Sequence, residues 1–255
     1  MIAVHNHGGL VMAQVKRLTA AGSLRPHDVL VPGHLVNLIV LDLGQYQTTE
    51  TPNDPAISGQ IMRAWTSFHL AEHDVEKVIT RHAAMELRRG MTANLGFGIS
   101  AMAPRILLEA GEPQAVTWAI AQGAVGGMAL TGFAFGCASN AGAFMPSPAQ
   151  FTYFQGGGFD MTFRSFTKLD SQGNVNVSKL GKKPCLTAGC GGFVDIAAHA
   201  RKIVFRGWFE AGAEIALDAT GLRVAKPGKF TKMVDKVEHV TLSGQQARAQ
   251  GQEVL

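Results

Sequence analysis

The chain has 255 residues, 46% hydrophobic and 16% charged, enough to bury one large domain, or a domain and an appendage, and too apolar for a disordered chain. Its net charge of +4 permits an anionic ligand, while the lack of basic motifs interleaved with aromatics argues against nucleic acid. No apolar run reaches the ~18 residues of a membrane span, no signal peptide is evident, and three cysteines without metal spacing (Cys137, Cys185 and Cys190) lead us to expect reduced thiols and a cytoplasmic address.

In chain order, residues 1–43 read as two or three short strands, at 9–15, 29–31 and 35–40. They are too few to bury both faces and so require a covering partner. His5-Asn6-His7 would lie on a strand face here, but no acid or cysteine accompanies the pair, and no metal site is expected. Residues 44–60 carry Pro52, Asp54-Pro55 and Gly59 and read as a linker. Residues 73–87 have helical apolar spacing and stop before Gly90, with His82 expected on the core side. A strand at 91–95, a turn at Gly96-Phe97-Gly98, a helix from Pro104 to Gly111 and a strand at 115–120 then follow. That alternation predicts a parallel α/β unit. A strand is expected at 201–205, with turns at 170–174 and 219–221.

The strand at 115–120 runs into Ala121-Gln122-Gly123-Ala124-Val125-Gly126-Gly127. Open α/β sheets bind ligands outside the carboxyl ends of their strands. A carboxylate is the working group expected there, and the residue present is Ala121. Gly96-Phe97-Gly98-Ile99-Ser100-Ala101 fits a G-x-G-x-x-A dinucleotide fingerprint. The acid that would hold a ribose is missing from the next strand end, which favours a glycine turn serving another ligand. Gly156-Gly157-Gly158 and Gly189-Cys190-Gly191-Gly192-Phe193 could also present bare amides, and the three loops together predict a shared pocket. Gly191-Gly192 precedes a predicted helix at 194–199 whose start would favour an oxyanion. Lys179, Lys182, Lys183, Arg201, Lys202 and Arg206 read as a solvated basic face or, alternatively, a phosphate contact. No G-x-S-x-G elbow supports a serine hydrolase. Cys137 has no identifiable base and is expected to be a small buried hydrophobe.

In sequence order these motifs resemble the C-terminal half of the family I coenzyme A transferases, especially the acetate/propionate and 3-oxoacid branch. Arg81-His82-Ala83-Ala84-Met85-Glu86-Leu87 followed by Ala93-Asn94-Leu95-Gly96-Phe97-Gly98-Ile99 resembles the opening of the family's second domain. Gln122-Gly123-Ala124-Val125-Gly126-Gly127 resembles its catalytic loop. Phe154-Gln155-Gly156-Gly157-Gly158-Phe159-Asp160, Gly173-Asn174-Val175-Asn176-Val177-Ser178-Lys179 and Ala188-Gly189-Cys190-Gly191-Gly192-Phe193 continue the likeness from about residue 75 to 244. Asn6-His7-Gly8-Gly9, Val31-Pro32-Gly33 and Asp54-Pro55-Ala56-Ile57-Ser58-Gly59 resemble the close of the first domain and its linker.

The resemblance implies an α/β fold with an open, largely parallel sheet, flanking helices and a short β-rich N-terminal segment. It also implies that residues 1–60 are the tail of a first domain and 61–255 the C-terminal domain, most of the first domain being absent. In the family, a glutamate attacks an acyl-CoA, passes through an acyl-glutamyl anhydride and becomes a glutamyl-CoA thioester, which exchanges with an incoming carboxylate. A carboxylate suits this role because it is ionised at neutral pH and needs no base. That position falls on Ala121, so the nucleophile is lost here. Asn94, Gly96, Gly98, Gln122, Gly126, Gly127, Gly191 and Gly192 are the implied CoA-binding positions. Coenzyme A is then a substrate, with no permanently bound cofactor. The implied partners are acyl-CoA, small carboxylates and a homo- or hetero-oligomer with a chain supplying the first domain, with no nucleic acid or membrane. Two alternatives stay open: a non-catalytic CoA-thioester binding protein, and a hydrolase or lyase on the same fold.

Overall fold

The computed structural model describes residues 1–181 and 186–255, so Lys182, Lys183 and Cys185 lie outside the described residues. The chain divides into two compact units, Met1–Asp54 and Pro55–Leu255. None of the described helices is long and apolar enough to cross a membrane.

In the first unit the strand Met12–Val15 pairs in parallel with Leu38–Leu41. Asn37 sets the approach, its Oδ1 accepting the Val11 amide at 2.9 Å. Every residue of Leu38–Leu41 is exposed. Two expectations fail in this unit. Residues 29–31 form no strand, because 3-10 turns at Pro26–Asp28 and Gly33–Leu35 bracket them and the prolines beside those turns have no amide to give a ladder. His5 belongs to a short helix, Ile2–Asn6, and His7 Nδ1 contacts the Ala3 carbonyl at 2.8 Å, so the two imidazoles share no strand face.

The second unit is built on a five-stranded sheet in the order Glu253–Val254, Lys202–Phe205, Met161–Arg164, Thr92–Leu95, Thr117–Trp118. All four pairings are parallel. Parallel sheets are stable when both faces are covered, and all four residues of Met161–Arg164 are buried. On one face Ala93, Leu95, Met161, Phe163 and Val204 join Trp118 in a core that takes in Ala83 and Ala103, from the helices Val75–Ala84 and Ala103–Glu109. On the other, Ala119 and Ile203 pack with Phe154, Phe159, Phe193 and Ile196, from or beside the helices Ser147–Gln155 and Phe193–His199. A buried polar pair ties three of the sheet's strands together. Asn94 Nδ2 donates to the Ala119 carbonyl at 2.7 Å, and Thr162 donates to Asn94 Oδ1 at 3.2 Å.

The helix Val75–Ala84 starts at Asp74, whose carboxylate accepts the Lys77 amide at 2.7 Å, satisfying one of the orphan donors of the first turn. Its buried positions are Val75, Lys77, Thr80 and Ala83. His82 is exposed, against the expectation of a core histidine, because Thr80, Ala83 and Leu87 make the inward stripe while His82 falls on the other side. Lys77 is buried without strain: its ammonium meets the Ala71 carbonyl at 3.0 Å and Glu109 at 3.0 Å. That bond from Lys77 holds the Glu109 carboxyl below its ordinary value.

Beyond the main sheet, Lys168–Asp170 lies between Val175–Asn176 and Met233–Val234. The turn expected at 170–174 is organised by Asp170, whose carboxylate accepts the amides of Gln172, Asn174 and Val237 at 3.0, 2.9 and 3.0 Å. Burial alone would raise this carboxyl; the bonds from Val237, Asn174 and Gln172 outweigh it and hold the group below the ordinary range.

Candidate functional site

Strand order locates the site before any side chain does. From Thr92–Leu95 the chain passes to Thr117–Trp118 on one side and later to Met161–Arg164 on the other. Met161–Arg164 in turn connects the opposite way, to Lys202–Phe205, and two adjacent strands whose connections run in opposite directions open a crevice between their carboxyl ends. A cavity of about 620 Å³ lies at this edge, lined by Gly96, Phe97 and Gly98 after the first strand and by Arg164 and Ser165 at the end of its neighbour. Ile99, Met102, Val177, Phe193 and Trp208 give it an apolar wall, Gly189 and Cys190 a loop, and Glu76 and Arg105 two further charges.

Of the sequence-derived positions, Gly96 and Gly98 line this cavity. Gly96 is constrained by packing, since a Cβ there would lie 2.8 Å from the Phe163 carbonyl oxygen. Gly98 has φ +76 and open space around it, so its backbone stands bare. Asn94 is fully buried and both ends of its amide are engaged within the sheet. Gly191 and Gly192 follow Cys190 in the loop; Gly191 faces open space, and a Cβ on Gly192 would press on the Phe151 ring at 2.7 Å. The loop Gly156-Gly157-Gly158 is not part of the cavity. It follows a helix and precedes Met161–Arg164, and so sits at the amino ends of the strands, which corrects the expectation that all three glycine loops share one pocket.

Ala121 lies just beyond the edge strand, where the chain doubles back: the Ile120 amide donates to Ala124 at 2.9 Å and the Gly126 amide to Trp118 at 2.7 Å. Ala121 is half-buried, packed against the core cluster that contains Phe193, and its carbonyl accepts the Ser147 hydroxyl at 3.3 Å. Ala121 is not among the residues lining the cavity, although Phe193 is. Gln122 is exposed and lies over Gly136, where a Cβ would meet its amide carbon at 2.6 Å. Gly126 and Gly127 have φ of +75 and +78, and a Cβ on Gly127 would come within 2.4 Å of the Ser139 carbonyl. The fold itself therefore requires glycine at 127.

The described members of the basic cluster do not form one solvated face. Lys202 is held between Glu86 and Glu253 at 2.5 and 2.8 Å, and Arg201 pairs with Asp160 at 3.4 Å. Arg206 is buried; Nη2 donates to the Ser100 carbonyl, Nε to the Ser100 hydroxyl at 3.3 Å, and the guanidinium stacks 4.4 Å from the Phe163 ring centre. Burial pushes Arg206 down to about 9. Cys137 is half-buried, and burial pushes its thiol up, the opposite of what activates a nucleophilic cysteine. Among the described residues, no cluster of three His, Cys, Asp or Glu could hold a metal.

Sequence reasoning passed over Arg164. It ends a strand in which every residue is buried, and it is itself only 9% exposed. Its Nε and Nη2 are buried without a hydrogen-bond partner. Its stem runs beside Gly96 and its guanidinium carbon is 5.7 Å from the centre of the Phe193 ring. Burial pushes it down to about 10, which leaves it charged at neutral pH. The signal was there to read: a cation closing the otherwise uncharged Met161-Thr162-Phe163 strand, just before the predicted ligand edge.

The sheet, its switch point and the glycine-bordered cavity define an α/β protein with a cavity at the carboxyl edge of its sheet. No protein-family model matches the chain. It is 35% identical over 259 residues to caffeate CoA-transferase of Acetobacterium woodii, covering 99% of this chain and 49% of that protein. It is 34% identical over 254 residues to acetate CoA-transferase YdiF of Escherichia coli O157:H7, covering 99% and 47%. The crystal structure of the YdiF apoenzyme superposes with a TM-score of 0.85 at 31% identity, over 99% of this chain and 47% of that one. The structure of YdiF as a thioester complex with CoA superposes at 0.84, with 31% identity, over 99% and 46%. The chain belongs to the family I coenzyme A transferases, and its mixed α/β architecture is the fold of YdiF. It spans about half the length of these relatives.

Proposed function

We propose that this chain is the C-terminal, β-type half of a CoA-transferase acting on short-chain acyl-CoA and carboxylates. Residues 61–255 are its C-terminal domain and 1–60 the tail of a first domain, the remainder coming from another chain in a cytoplasmic oligomer. The observation that carries this reading is the match of nearly the whole chain, at a TM-score of 0.85, to a CoA-transferase also solved as its CoA thioester. The cavity at the carboxyl edge of the sheet supports it. On this reading Ala121 stands where the glutamyl nucleophile belongs, and the backbone at Gly96, Gly98, Gly126, Gly127, Gly191 and Gly192, with Asn94 and Gln122, surrounds the CoA and acyl groups. A methyl cannot form the acyl anhydride, and losing a covalent nucleophile costs orders of magnitude in rate.

The test is Ala121→Glu, assayed with and without a co-expressed first-domain chain. The restored pair is expected to exchange acyl groups and to carry a CoA-sized mass adduct; neither signal would end the transferase reading. A second reading, a CoA-thioester binding protein without transfer, is favoured by Ala121 itself, because the loops persist around a methyl. Calorimetry with acetyl-CoA on the unmodified chain tests it, and an absence of heat at millimolar ligand would remove it.

A further inference from the structure

Arg164, at the end of one strand, and Arg206, just past the end of the neighbouring strand Lys202–Phe205, are both buried cations, but they are held differently. Arg206 is tied twice to Ser100 and stacked on Phe163, and of its guanidinium nitrogens Nη1 alone is buried without a partner. The Arg164 side chain makes no hydrogen bond among the described residues, its Nε and Nη2 being buried without a partner, and the residue lines the cavity at the switch point. A buried cation without a partner is costly, and buried polar groups in folded proteins nearly always have one. The other charged groups of the cavity wall, Glu76 and Arg105, form no ion pair or hydrogen bond with it.

We propose that Arg164 is the receptor for the carboxylate of a small organic acid bound in this cavity. Three observations fix that class. The wall is otherwise largely apolar, with Phe97, Ile99, Met102 and Trp208 placed to take a short carbon skeleton. Phe193 stands near the guanidinium carbon, and the N–H fork matches a planar carboxylate in a bidentate pair. The cavity's formal charge from Arg105, Arg164 and Glu76 is two positive less one negative, or +1, which suits a monoanion better than a phosphate dianion. This inference deepens the transferase reading, and rests on it, in naming the residue that grips the acid.

The experiment is an equilibrium titration of the intact chain with sodium propionate, inorganic phosphate and CoA in turn. It is read by tryptophan emission, with Trp208→Phe identifying the cavity signal, and by calorimetry. Propionate is expected to bind saturably. Arg164→Met should weaken it about 10- to 100-fold, the loss of a charged hydrogen-bonded pair, while the melting temperature holds or rises because an unpaired buried charge has gone. Arg164→Lys, which keeps the charge without the fork, should fall between. Equal propionate affinity in the folded Arg164→Met protein overturns the proposal. So does tighter binding of phosphate than propionate at Arg164, or no propionate binding by the folded wild type. Failure of CoA to bind while propionate still depends on Arg164 would remove the transferase reading and leave this one. CoA binding with no Arg164-dependent propionate site would do the reverse.

Discussion

Asp170 shows at the scale of a single residue how a turn becomes a stability determinant. Its carboxylate gathers the amides of Gln172, Asn174 and Val237 and the side-chain amide of Asn174, and its folded pKa lies below the ordinary value. A depressed carboxyl contributes stability that is fully present above its unfolded pKa, ~3.9, and is lost as pH falls through the folded one. Asp170→Asn should therefore cost about 2 kcal/mol at neutral pH and progressively less as the wild-type group protonates in acid. Urea midpoints across that range measure it; a gap that stays constant with pH would refute the charge-based account. The turn was legible from Asp170-Ser171-Gln172-Gly173-Asn174, whereas the reach to Val237 was not, since it joins positions 67 apart in sequence. Arg164 was missed for a related reason. Its importance comes from the partners it lacks, and a sequence displays residues that are present.

At the scale of elements, the doubled-back loop after Thr117–Trp118 is held by close backbone approach. Gly123 has φ +120, and a Cβ there would come within 2.0 Å of the Met145 carbonyl oxygen, whose own amide donates to Gly123 at 2.8 Å. Gly123→Ala is expected to cost about 3 kcal/mol or more, from a disfavoured backbone region compounded by a backbone clash. A urea midpoint within error of wild type would show that the loop yields instead. Helix and strand positions in the second unit were largely readable. The helix expected at 73–87 contains the observed Val75–Ala84, and the run to Gly96 ends where the Thr92–Leu95 strand does. The helix's facing was less so: Val78 and Ile79 look like the core side, yet Thr80 and Ala83 are buried more deeply. The stretch at 29–31 looked like a strand by composition alone, and the flanking prolines decided otherwise. Which glycine loops meet at one edge depends on strand order, which periodicity does not encode.

At the scale of the whole molecule, sequence motifs in the right order pointed to the family and its open parallel sheet, while the cavity wall needed three dimensions. Residues from seven separate segments build that wall, Glu76, Gly96, Thr131, Arg164, Val177 and Trp208 among them. The first unit raises a different matter. Its strands form a lone two-stranded parallel pair, and Leu38, Ile39, Val40 and Leu41 are all exposed. Short strand pairs are marginal unless something covers them, and uncapped apolar edges template further pairing. The isolated chain is expected to associate as its concentration rises, and co-expression with a first-domain chain should suppress this. Sedimentation across a dilution series measures it, and a monomer at every loading would contradict it. In colloidal terms, the strand Leu38–Leu41 sets a ceiling on solubility: below it the chain can be studied as a particle, and above it every assay reports on a population of sticky edges.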